Sequence, residues 1–258
     1  MMIKKPEQLL TRLDEIGKAL AQQPSALALI GLGSVGLERS RLDQFSDLDF
    51  FVIVKTGSKP HYLNDLRWLT DIAPVAYAFA NTVDGYKLLY QDGVFCEFAV
   101  FDEAELKTAV FSPGKVVWKA QGVAETIGIP QRAIKPRQPP STEWLIGEAV
   151  TNLYVGLGRD KRGEQLSAMR FIQNYAVDRI LELAEKVEAV AAIDADQFNL
   201  ERRYEQRVPA MSTILPELLQ GYTRNRESAL AALAYLERHF EINPAMKQAI
   251  LALCGSDT

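Results

Sequence analysis

Residues 6–22, “PEQLLTRLDEIGKALAQ”, carry leucine and isoleucine at helical spacing and predict an amphipathic first helix. The pattern then shortens. Apolar runs at 26–30, at 50–54 (“FFVIV”) and at 75–80 (“VAYAFA”) read as strands, because they are brief, rich in β-branched or aromatic residues and bounded by turn formers. Helical spacing returns at 61–72. The stretch 85–101 holds two strand-like runs joined by Asp92-Gly93, a strong hairpin signal. These elements predict a mixed α/β domain whose last strand ends before residue 110.

Four prolines fall within 129–142, “IPQRAIKPRQPPST”, and beyond them the pattern is almost wholly helical: 143–157, 164–187, 212–222, 224–240 and 244–253. Ser141 stands where an N-cap would open the first of these helices. The expected organisation is a sheet-and-helix domain over 1–128, a linker over 129–142 and a helical domain over 143–258. The fold class is α+β, a mixed α/β sheet domain followed by helices.

Composition narrows the chemistry. The chain has 258 residues, 48% of them apolar and 24% charged, with a net charge of −4. Cutting at Lys135 leaves 15 Lys+Arg against 16 Asp+Glu before the cut and 14 against 17 after it, so neither half carries the basic signal of a nucleic-acid binder. No apolar run has the length of a membrane span, and the N-terminus lacks the apolar core of an export signal. Cys96 and Cys254, the two cysteines, read as reduced thiols, and a cytoplasmic location is expected. His61 and His239 are the two histidines, too few for a histidine-rich zinc site. Catalysis must then rest on carboxylates, Lys/Arg and hydroxyls.

One stretch raises a choice. Gly31, Gly33 and Gly36 spell G-x-G-x-x-G after an apolar run, and Asp49 follows Gly31 by 18 residues, as in a dinucleotide fingerprint. That reading needs a helix directly after the glycines and an acid at the far end of the second strand. Here “LERSRLDQFSD” is polar and poorly periodic, and Asp47 and Asp49 stand at the entrance of “FFVIV”. The same residues also make a G-S-x(n)-D-x-D arrangement. Two aspartates at i and i+2 in an extended segment share a face, with Leu48 turned to the core. Their oxygens suit magnesium, which leaves positions open for substrate phosphates. The Gly33-Ser34 turn would bring backbone amides and a hydroxyl close to a phosphate.

“LGSVGLERSRLDQFSDLDFFVIV” resembles the signature of the nucleotidyltransferase superfamily that shares its catalytic core with DNA polymerase beta. In layout the chain is similar to small bacterial antibiotic nucleotidyltransferases, which modify aminoglycosides or lincosamides. The resemblance implies an enzyme in which an acceptor hydroxyl attacks the α-phosphate of a nucleoside triphosphate such as ATP and releases pyrophosphate, with two magnesium ions and a role in antibiotic resistance. It implies metal binding and catalysis by Asp47 and Asp49, and a third carboxylate on a neighbouring strand. Glu97, the lone charge in the apolar run 94–101, supplies that candidate, as second-metal ligand or as general base.

The triphosphate needs cations. Arg39 and Arg41 lie within the motif beside Gly33 and Ser34; Lys161, Arg162 and Arg170 cluster with Arg159 at the junction of two predicted helices, where “RGE” would offer free backbone amides. A small-molecule acceptor would find Glu143, Glu148 and Asn152, or the apolar Trp144 and Tyr154, on the first helix after the linker. The resemblance also leaves room for a homodimer, since related enzymes build the active site across two chains. Alternatives are a protein-modifying relative and a non-catalytic nucleotide-binding regulator.

Overall fold

Six strands form one mixed sheet in a computed structural model that describes residues 5–132, 138–196 and 199–255. The chain divides into two compact units between residues 136 and 137. Part of the expected linker, 133–137, lies outside the described residues.

The first unit runs α1 (Pro6–Ala21), β1 (Ala26–Gly31), β2 (Leu48–Val54), α2 (Lys59–Asn64), α3 (Arg67–Thr70), β3 (Val75–Thr82), β4 (Gly85–Tyr90), β5 (Phe95–Asp102), α4 (Glu103–Thr108) and β6 (Lys115–Lys119). Sheet order is β3-β4-β5-β2-β1-β6. The β2–β5 pair is parallel and the other pairs are antiparallel. Antiparallel β1 and β2, joined through 3-10 turns rather than a helix, remove the dinucleotide reading, which requires a parallel βαβ unit.

Alternation along β2 and β5 sorts their side chains onto two faces. Leu48, Phe50, Val52, Cys96, Phe98 and Val100 are buried in one cluster with Leu9, Leu13, Ile16 and Leu20 of α1. Each such leucine, removed from water, contributes roughly 2 kcal/mol. On the opposite face Ile53 packs with Ile30, Leu106 and Phe111. That second cluster leaves the Asp49 end of the face half-open.

Several elements differ from expectation. The helix predicted over 61–72 breaks in two, because the Asp65 carboxylate accepts from the Arg67 N–H at 3.0 Å and pairs with its guanidinium, drawing the backbone out of the helix. Two elements appear that periodicity did not predict. The helix α4 is opened by a capping box: Asp102 accepts from Ala104 and Glu105 N–H at 2.9 Å each, and Glu105 returns a bond to Asp102 N–H. The strand β6, only five residues with lysine at both ends, carries the sheet past residue 110. The Asp92-Gly93 hairpin forms, closed by Tyr90 N–H to Val94 O at 2.9 Å with Gly93 at φ +88°.

Arg12 of α1 is buried, lies 4.1 Å over the Tyr90 ring and bonds Asp92 of that turn at 2.8 Å. It also bonds Glu15 at 2.9 Å. Burial alone would raise the Asp92 carboxyl. The hydrogen bonds from Val94 N–H and Gln8, with the charge of Arg12, outweigh burial and hold it below the ordinary aspartate range. A depressed carboxyl contributes stability that is present above its unfolded pKa and is lost as pH falls through its folded value. Asp92→Asn is therefore expected to cost about 1–2 kcal/mol at neutral pH and progressively less below about pH 4. Urea unfolding of both proteins at pH 7 and pH 3 checks the convergence.

The described residues of the second unit form helices joined by loops: α5 (Thr142–Lys161), α6 (Gln165–Met169), a π-helical turn (Arg170–Ala176), α7 (Val177–Val187), α8 (Tyr204–Arg207), α9 (Met211–Leu218), α10 (Asn225–His239) and α11 (Pro244–Gly255). Ser141 caps α5 as expected, its Oγ accepting from Trp144 N–H at 3.1 Å. The helix expected to reach 222 stops at Leu218, two residues after its internal Pro216. Buried Gln173 in the π turn donates to Gly221 O at 2.8 Å and to Asn225 Oδ1 at 2.9 Å, satisfying polar groups in an otherwise apolar core.

Candidate active site

Asp49 and Glu97 are register partners on the parallel strands β2 and β5. Lys87 on β4 is the partner of Glu97, and Phe79 on β3 is the partner of Lys87. Partners in register share a face, so one rung of the sheet reads Phe79, Lys87, Glu97, Asp49. Asp47 immediately precedes β2; Leu48, between the two aspartates, is fully buried while both acids are half-exposed. That is the alternation the sequence predicts.

The glycine turn abuts this rung. Leu32 N–H donates to the Asp49 backbone O at 2.8 Å, which extends the β1–β2 ladder by one bond and starts the Gly33-Ser34 turn beside Asp49. Gly33 has φ +48°, and a Cβ there would meet no heavy atom within 4 Å. Gly36 has a different reason to be glycine. A Cβ there would stand 2.4 Å from the Gly31 carbonyl oxygen, so this glycine serves a close backbone approach. Its N–H donates to Leu32 O at 2.9 Å and to Gly33 O at 3.1 Å, which folds the turn back on itself.

Arg39 and Arg41 form the next 3-10 turn, Arg39–Arg41. Arg41 Nη1 is bonded to the Glu38 carboxylate. Arg39 Nη1 is buried with no hydrogen-bond partner. A buried guanidinium nitrogen without an acceptor costs free energy that an anion would recover.

Glu97 is not the buried lone acid that its apolar strand suggested. Its side chain is 42% exposed; Lys87 Nζ lies 3.2 Å from Oε2, and Asn81 Nδ2 donates to Oε1 at 3.0 Å. Lys87 was legible in hindsight, because a hairpin centred on Asp92 sets 87 against 97. Asn81 carried no comparable signal: it reaches Glu97 from two strands away, past an irregularity in β3. Among the described residues, no group of three or more His, Cys, Asp or Glu is gathered so as to hold a metal ion.

No protein-family model matches the chain, and no curated protein sequence does. The chain is similar to solved nucleotidyltransferase structures. An aminoglycoside 6-adenyltransferase from Bacillus subtilis superposes with a TM-score of 0.41 at 11% identity, over 98% of this chain and 100% of that one. A nucleotidyltransferase-like protein from Exiguobacterium sibiricum 255-15 gives 0.35 at 14%, over 95% and 77%. A STING-associated CdnE c-di-GMP synthase from Capnocytophaga granulosa gives 0.33 at 8%, over 96% and 78%.

Lys161, Arg162 and Arg170 belong to the helical unit. Arg162 is exposed and pairs with Glu164 at 3.0 Å, and Arg170 opens the π turn on the surface. The free amides expected at 162–164 are absent: Arg162 and Glu164 N–H both donate to Arg159 O at 3.0 Å, and Gly163 N–H donates to Asp160 O at 2.9 Å. The corner closes on itself, and Gly163 at φ +78° makes that closure. On α5, Glu143, Trp144, Gly147, Glu148 and Thr151 line an open hollow of about 430 Å³ with Ser141. It brings three of the five sequence-named acceptor candidates onto one surface. Among the described residues, no helix is long and apolar enough to cross a membrane.

Proposed function

We propose that the sheet unit is the catalytic domain of a nucleotidyltransferase moving a nucleoside monophosphate from a triphosphate such as ATP to a hydroxyl of a small, antibiotic-like molecule. The observation that carries the reading is the pairing of Asp49 with Glu97 across β2 and β5, with Asp47 two residues ahead and the Gly33-Ser34 turn bonded alongside. Two carboxylates at directly opposed positions are suited to a cationic or proton-transfer task.

Two carboxylates completed by phosphate oxygens are a donor set that suits magnesium. Asp47 and Asp49 would hold it, and when bound it supplies charge neutralisation at the phosphates. Glu97, with Lys87 and Asn81 already on its two oxygens, is better placed as the base than as a ligand. In the transfer, the acceptor oxygen bonds to the α-phosphorus and the bond to the bridging oxygen breaks. Pyrophosphate departs, and the hydroxyl proton passes to Glu97. Ser34 and the turn amides cradle phosphate oxygens, and Arg39 Nη1 finds its missing acceptor there. Arg41, in the same 3-10 turn, adds positive charge beside it. A cytoplasmic enzyme of resistance is the biological setting this chemistry fits.

Calorimetric titration with ATP, GTP, CTP and UTP, with and without magnesium, tests the reading before any acceptor is known. Binding of at least one triphosphate that requires magnesium is expected. Absence of triphosphate binding, or binding of NAD in its place, would overturn it.

A further inference from the structure

The two edges of the sheet are unlike. At one edge β6 carries Lys115 and Lys119 at its ends, the usual guard against pairing with another chain. At the other, β3 (Val75–Thr82) has no charged residue. Tyr77 and Phe79 are 56% and 52% exposed, and Ala76, Ala78 and Ala80 on the opposite face are exposed as well. An uncharged, apolar edge open on both faces is a template for strand addition.

The segment 76–80 reads Ala-Tyr-Ala-Phe-Ala, which is symmetric about Ala78 in chemical type. A two-fold axis through Ala78 would set each Tyr77 against the second chain's Phe79, Ala76 against Ala80, and Ala78 against itself. Aromatic pairs across an antiparallel ladder are favourable, and no charge opposes them. The register irregularities of β3 fall at its two ends, between Val75 and Tyr77 and between Ala80 and Thr82, leaving 77–80 regular about the Tyr77 and Phe79 pair.

We infer that β3 is a dimer edge on which a second copy of this chain pairs antiparallel about Ala78, joining two six-stranded sheets into one. Closed, isologous contacts of this kind need a self-complementary strand, and 76–80 is one. The seam would extend the rung Phe79, Lys87, Glu97, Asp49, in which β3 lies about 14 Å, or three strand spacings, from Asp49. The inference stands on the strand alone and does not depend on the chemistry proposed above.

The test uses the full chain. Light scattering on a sizing column, across roughly 1–100 μM protein because dimer populations follow concentration, reads the mass. Ala78→Lys places two ammonium groups face to face on the axis. The wild type is expected at twice the chain's mass and Ala78→Lys at half of that, with an unchanged circular dichroism spectrum, Ala78 being exposed. A second variant removes dependence on that comparison. Opposed residues in an antiparallel pair stand about 4.5–5.5 Å apart between Cα atoms, inside disulfide range. Ala78→Cys is therefore expected to link two chains under oxidised glutathione, while buried Cys96 and Cys254 do not compete. A wild type that is monomeric throughout overturns the inference. So does a dimer that survives Ala78→Lys, or one in which Ala78→Cys forms no linked pair.

Discussion

Asp49→Asn is expected to abolish magnesium-dependent triphosphate binding while leaving the protein folded. Asp49 and Glu97 occupy opposed register positions on adjacent strands. Two carboxylates so placed repel, by about 0.5 kcal/mol at a half-exposed site. Asparagine has the same shape, and the unfolding midpoint should change little. The Leu32 N–H bond goes to the backbone oxygen of residue 49 and survives the change. Binding changes far more. A unit charge facing a cation at about 4 Å, in the intermediate dielectric of a protein surface, is worth roughly 4 kcal/mol, or on the order of a thousandfold in affinity. Titration calorimetry and urea unfolding on the same preparations read both. Asp47→Asn should show the same binding loss, residue 47 standing immediately before β2. If Asp49→Asn bound the triphosphate as wild type does, the two aspartates would be surface acids and the catalytic reading would fall.

Lys87 places a limit on the same reasoning. Its ammonium, 3.2 Å from Glu97, offsets part of the repulsion from the other side.

The parts legible in the sequence are those set by local pattern. Buried β1 and alternating β2 followed from apolar runs, α1 from its 3.6-residue spacing, and the cap at Ser141 from a hydroxyl before helix formers. Asp47 and Asp49 were visible because period-two geometry is fixed within a strand. What escaped was set by partners distant in sequence or by short polar exchanges. Strand β6 is five residues with charged ends, and only its pairing to β1 makes it a strand. Asp65 broke a periodic helix by accepting from the Arg67 N–H and its guanidinium. The surroundings of Glu97 were hidden for a related reason. Its strand is buried on one face only, and the hairpin partner that neutralises it lies ten residues earlier. The amides at 162–164 looked free because a helix start implies orphan donors, yet the turn from Arg159 satisfies them first.

Gly36→Ala is expected to be the most damaging single-methyl change in the turn. Its Cβ would stand 2.4 Å from Gly31 O and 2.9 Å from the carbonyl carbons of Gly31 and Leu32. All three are backbone atoms at the end of a fully buried strand, so none can rotate away. The turn must open or β1 must shift, at a cost of about 3 kcal/mol or more. Opening it breaks the bonds from Gly36 N–H to Leu32 O and Gly33 O, and it pulls Leu32 N–H from Asp49 O. Triphosphate binding should therefore fall with stability. Gly33→Ala sets the comparison. That position has a left-handed backbone and open space around its Cβ, so the penalty is conformational strain alone, about 1–2 kcal/mol. The order Gly36 well above Gly33, measured by urea unfolding without any nucleotide, separates two accounts of these glycines. Were they glycine only to let a cofactor approach, both alanine variants would unfold like wild type in the absence of ligand. A large loss at Gly36 in the ligand-free protein means that the motif first builds the turn which sets the phosphate cradle against Asp49.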